Sequence, residues 1–72
     1  MGSKYPVLTP KEVTGALERF GFRFVSQRGS HMKYSNGTKS VIVPNHTEVA
    51  RGTLKSILNM AGIALDDFLK AL

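Results

Sequence analysis

One stretch, Gln27-Arg28-Gly29-Ser30-His31-Met32-Lys33-Tyr34-Ser35, brings together a histidine, two cations, a hydroxyl and a glycine where one strand pattern turns into the next. His31 and Lys33 lie two apart, so in a strand they share one face while Met32 and Tyr34 share the other. One face can pack on a core while the other presents a proton-transfer group beside a positive charge. Histidine suits proton transfer near neutrality, since its reference pKa of about 6.5 leaves both forms available. RNA carries its own nucleophile. Breaking it requires a base for the 2′-hydroxyl proton, a donor for the leaving oxygen and cations for the phosphate charge. Arg28 and Lys33 are the candidate cations, and the backbone amides of Gly29 and Ser30 are candidates for close approach to a phosphate. DNA lacks the 2′-hydroxyl, so this set of groups points to RNA as substrate, with no metal and no cofactor.

Each of these residues also has a purely structural reading. A lone surface histidine is usually solvated, Gly29 suits a tight turn, Ser30 can satisfy a backbone group, and Lys33 can be an ordinary strand-surface lysine. His46, two residues after Pro44, either fixes a loop by a hydrogen bond or serves as a second acid or base. Tyr34 and the four phenylalanines read as core. A nucleophilic triad is unsupported, because no carboxylate has an obvious pairing with histidine and serine.

The elements that must position these groups fit into 72 residues, which is one domain near the lower limit for folding on a single core. A hydrophobic fraction of 42% suffices for that core, and with no cysteine there is no disulfide framework to assist it. Two histidines make a poor zinc site, since zinc takes three or four ligands and the five carboxylates are not clustered with them. No apolar run reaches the roughly 20 residues of a membrane span and no signal-peptide pattern opens the chain, so a cytoplasmic protein with no membrane partner is expected. The net charge is +5, and from Arg19 to Thr47 five cations (Arg19, Arg23, Arg28, Lys33, Lys39) occur without one acid. A basic stripe on a small domain points to a polyanion, most often nucleic acid, or else to solubility charge on an exposed sheet.

Residues 1–8 carry no strong pattern and are expected to be poorly ordered, within a single domain spanning 1–72. Thr9-Pro10-Lys11-Glu12 reads as a helix start with Thr9 as N-cap and Glu12 reaching back. Val13, Ala16, Leu17 and Phe20 then form one apolar stripe, closed by Gly21. Strands follow at Phe22–Gln27, His31–Ser35 and Thr38–Val43. In the first, Phe22 and Phe24 lie on one side and Arg23, Val25 and Gln27 on the other. Asn36-Gly37 predicts a two-residue type I′ turn, which sets Ser35 against Thr38, Tyr34 against Lys39, Met32 against Val41 and His31 against Ile42. Met32, Tyr34, Val41 and Val43 then share the core face, and His31, Lys33, Ser40 and Ile42 the outer one. After a loop over Asn45–Arg51, Gly52 and Thr53 open a second helix bearing Leu54, Ile57, Leu58 and Ala61, stopped by Gly62. Asp66 and Asp67 favour a last short helix carrying Phe68, Leu69 and Leu72. The order implies a two-layer α+β domain with two helices on one face of an antiparallel sheet and the other face open to solvent.

The sequence resembles the HicA toxin family, the small YcfA-like mRNA interferases, from Thr9 to Leu69. The matching blocks are Gly21-Phe22, Gly29-Ser30-His31 with an aromatic at Tyr34, Val43-Pro44-Asn45-His46, and Gly52-Thr53-Leu54-Lys55-Ser56-Ile57-Leu58 followed by Ala61-Gly62. The resemblance implies a double-stranded-RNA-binding-domain-like fold, metal-free cleavage of mRNA with His31 as the catalytic histidine, and inhibition by a HicB antitoxin covering that region. His46 matches the family's Pro-x-His block, for which no definite catalytic role is carried over. Met32 stands where many relatives have a second histidine, and Ala64 where they often have a polar helix cap. The free chain is expected to be monomeric. Two other readings stay open: a non-catalytic module that grips duplex RNA by its backbone, and a domain whose basic face meets an acidic protein partner.

Overall fold

A reciprocal cap starts the first helix, α1 (Pro10–Arg19). The Thr9 hydroxyl accepts from the Glu12 backbone N–H at 3.2 Å, and the Glu12 carboxylate accepts from the Thr9 backbone N–H at 2.9 Å. The computed structural model describes residues 5–72, in the order α1, β1 (Arg23–Arg28), β2 (His31–Ser35), β3 (Ser40–Pro44), α2 (Arg51–Ala61) and α3 (Leu65–Lys70). This is the expected α+β layout: an antiparallel sheet in the order β1-β2-β3 with a helix before it and two after. The expectation for Met1–Lys4 lies outside the described residues. The rest of the opening segment takes part in the fold, since Leu8 is buried and exchanges both backbone hydrogen bonds with Val49.

The α1 stripe buries Val13, Ala16 and Leu17 but not Phe20, which is 37% exposed. Gly21, at φ 88°, turns the chain in a left-handed step, and the Phe22 N–H then donates back to the Leu17 carbonyl. That reversal swings Phe22, 1% exposed, into the core in place of Phe20. The second helix ends the same way, with Gly62 at φ 73° and Ile63 N–H donating to the Leu58 carbonyl. Leu54, Ile57, Leu58 and Ala61 are buried as their spacing predicts. Helix α3 starts at Ala64 without a side-chain cap and buries Leu65 and Phe68, while Leu69 and Leu72 stay exposed. With Tyr34, Val41 and Val43 these side chains form one apolar cluster between the sheet and the helices. Among the described residues no helix is long and apolar enough to cross a membrane.

The β2–β3 connection differs from the expected turn. Ser35 pairs with Ser40, Tyr34 with Val41, Met32 with Val43 and His31 with Pro44, a shift of two residues. A type I′ turn needs positive φ at both central residues, and only Gly37 has it. Asn36 instead accepts backbone N–H bonds from Thr38 and Lys39 at 2.9 and 2.7 Å through its Oδ1, and its own N–H donates to the Lys39 carbonyl. This side-chain competition with the backbone opens the turn to four residues. A slip of two preserves the faces, so Tyr34, Val41 and Val43 remain buried while His31, Lys33 and Ile42 remain exposed.

Leu17 and Phe20 belong to one stripe in the sequence but separate in the fold. Leu17→Ala is expected to lose about 2–5 kcal/mol and Phe20→Ala clearly less than a buried phenylalanine would, since more than a third of its surface is already in water, measured by urea unfolding. Equal losses would contradict the assignment of the core.

Candidate functional site

Strand β1 does not alternate regularly, and the irregularity decides which side chains meet. Phe24 pairs with Tyr34 and Ser26 with Lys33, so Val25 is an extra residue in a β-bulge. Before the bulge Arg23 lies on the outer face, across from Ser35. Simple alternation would then send Arg28 to the opposite face. The bulge reverses that parity: Ser26 and Arg28 point outward with Lys33 and His31, and Gln27 falls across from Met32. The sequence expectation for β1 therefore fails beyond Phe24. Phe24 itself is 53% exposed and lies edge-on to Tyr34, with ring centroids 5.8 Å apart.

The β1–β2 turn consists of Gly29 and Ser30, between the paired residues Arg28 and His31. Gly29 has φ 55°, a conformation that costs an ordinary L-residue about 1–2 kcal/mol. The Gln27 side-chain amide donates to the Gly29 carbonyl at 2.7 Å. The Asn45 N–H donates to the Ser30 carbonyl, tying the turn to the segment just after β3. Ser30 Oγ lies 3.5 Å from His46 Nε2, at the outer limit of a hydrogen bond.

Ser26, Arg28, His31, Lys33 and Ile42 together line an open depression of about 300 Å³ on the helix-free face of the sheet. The fold thus gathers His31, Arg28 and Lys33 on one surface, sets the Gly29-Ser30 turn at its end, and brings His46 against that turn. Ser26 and Ile42 join the site without having been among the candidate site residues. The signal available for Ser26 was the pair Phe24-Val25, two consecutive large apolar residues that break alternation just before it. Parity places Ile42 on the outer face, but its place in the depression depends on its pairing with Lys33.

The five-cation stripe divides in three dimensions. Arg23, Arg28 and Lys33 belong to the open face by strand pairing. Arg19 sits in the last turn of α1. Lys39 has core-side parity, and its ammonium lies over Gly62, where an added Cβ would meet it. A cation there suits the negative end of the α2 dipole. Among the described residues no three histidine and carboxylate side chains gather to hold a metal ion.

All described polar and charged side chains are at least partly solvated. The arrangement is a wetted, cationic surface carrying an imidazole, suited to an extended anionic chain and to proton transfer on it. Two turns position it, one built on Gly29 and one on Asn36-Gly37, and neither sits over the depression as a lid.

No curated protein matches the chain at a significant level. A family model described as the HicA toxin of bacterial toxin–antitoxin systems matches residues 10–63 of the 72. The matched span runs from the first residue of α1 to just beyond the glycine that ends α2, and so contains every residue of the site. The chain belongs to the HicA toxin family, and with it to the toxins of toxin–antitoxin systems, whose function implies an antitoxin partner.

Proposed function

We propose that this toxin acts as a metal-independent endoribonuclease on mRNA, with His31 transferring the proton and the open sheet face holding the substrate. The observation that supports this most directly is the convergence of His31, Arg28 and Lys33 on one solvated depression, through a bulge and a two-residue turn. RNA needs no added nucleophile, so the protein has only to orient the backbone, balance the phosphate charge and move protons. Arg28 and Lys33 flank the imidazole from adjacent strands and supply that charge. Arg offers a planar fork for phosphate oxygens and Lys a point charge, so the two grip differently. The positive φ at position 29 favours glycine, and the missing side chain leaves the Gly29 and Ser30 backbone open to approach by a phosphate.

The inhibitor in this reading is a HicB-type antitoxin that covers the same face. His31, Arg28 and Lys33 are all exposed, so a protein laid over the depression removes access to them.

The test is incubation of the purified protein with mRNA in excess chelator, beside His31→Ala. The parent is expected to cleave and the variant to lose about 10²–10⁴-fold in rate. A parent that binds RNA but leaves it intact would make the domain a non-catalytic RNA-binding module. Equal cleavage by both proteins would remove His31 from the chemistry.

Binding can be measured separately in the His31→Ala background, where substrate persists. Lys33→Ala is expected to weaken affinity for single-stranded RNA and to reduce the slope of log K against log salt by about 0.7, the value of one phosphate contact. An unchanged slope would take Lys33 out of the phosphate grip.

A further inference from the structure

His46 is the second histidine of the chain, and the fold brings it to the residue next to the first. Its Nε2 lies 3.5 Å from Ser30 Oγ, and the adjacent Asn45 N–H donates to the Ser30 carbonyl. His31 follows Ser30 directly and pairs with Pro44, two residues before His46. His46 therefore contacts the residue that immediately precedes His31. Both histidine side chains are exposed.

Cleavage of RNA by its own 2′-oxygen places the attacking and leaving oxygens roughly in line, on opposite sides of phosphorus. An imidazole positioned to take the proton from one cannot at the same moment protonate the other. A rapid reaction at neutral pH needs a second group, because an unprotonated alkoxide is a very poor leaving group. No carboxylate lines the depression, and on the ribonuclease reading its cations Arg28 and Lys33 hold the phosphate charge; His46 lies at the Ser30 turn, beside the lining residue His31.

We propose that His46 is that second group, the acid that protonates the leaving 5′-oxygen; the assignment rests on the ribonuclease reading above. The neutral imidazole of His31 accepts the 2′-hydroxyl proton as the 2′-oxygen forms its bond to phosphorus. The bond from phosphorus to the 5′-oxygen breaks, its electron pair stays on that oxygen, and the imidazolium of His46 donates a proton there. The products are a 2′,3′-cyclic phosphate and a 5′-hydroxyl. His31 leaves the step protonated and His46 neutral, and exchange with water restores both.

The test uses an RNA oligonucleotide that the parent cleaves, made with oxygen or with sulfur at the 5′-bridging position of the cleaved linkage. A thiolate departs without protonation, so the sulfur substrate has no need of an acid. His46→Ala is expected to be slowed about 10²–10⁴-fold on the oxygen substrate and to match the parent closely on the sulfur one. His31→Ala is expected to be slow on both. Equal loss by His46→Ala on the two substrates would mean that His46 only positions the Ser30 turn, and would overturn the assignment. Undiminished cleavage of the oxygen substrate by His46→Ala would overturn it too. Failure of the parent to cut RNA in chelator is a separate result, against the ribonuclease reading itself.

Discussion

The site depends on one extra residue in one strand. Side chains alternate with a period of two, so an insertion reverses every face assignment beyond it. Val25 is that insertion. Without it Arg28 would lie on the core side of the sheet, the side of Met32 and Tyr34, away from His31 and Lys33. With it, Arg28 faces outward beside His31 and Lys33. The cost is an exposed Val25 and a Phe24 only half covered by Tyr34. Strand β1 can bear this because it is an edge strand whose six residues are all exposed. A bulge in the central strand would disturb two ladders instead of one.

The parts of the fold that were legible in the sequence are those with local physical causes. The capping box at Thr9 and Glu12, the terminal glycines 21 and 62 and the apolar spacing of α2 each act within a few residues, and each appears where its pattern lies. The core faces of β2 and β3 were legible for the same reason. The register between those strands was not. Asn36-Gly37 is compatible with two loops, and the outcome turned on whether the Asn36 side chain or its backbone took the available N–H groups. The misplacement of Phe20 has a similar origin: periodicity extends a helix stripe without limit, whereas the backbone reversal at Gly21 hands the core position to Phe22.

For the site, the residue types and the shared face of His31 and Lys33 were legible, because they lie on one strand at a spacing of two. Contacts between segments were not. The approach of His46 to Ser30 depends on where β3 ends, on the Asn45 hydrogen bond and on the true register, none of which has a local signature. The basic stripe shows the same limit from the other side. Five cations adjacent in sequence resemble one patch, yet Arg19 belongs to a helix and Lys39 serves the end of another, so three remain on the open face.

An open cationic face and a small one-sided core are consequences of the same constraint. The apolar residues fill one layer between sheet and helices, and among the described residues that layer holds every buried hydrophobic side chain except Pro10. The described residues leave the other face of the sheet uncovered. It has to be wetted, and strands that must be wetted on one side can carry charges and an imidazole at little cost in stability. On the ribonuclease reading this makes activity the default state of the folded protein. The site's charged side chains already lie at the surface, and the turns beside them are held by backbone and side-chain hydrogen bonds. Control then has to come from outside the domain, by occupation of the face. A toxin paired with a separate antitoxin is the arrangement such a site calls for.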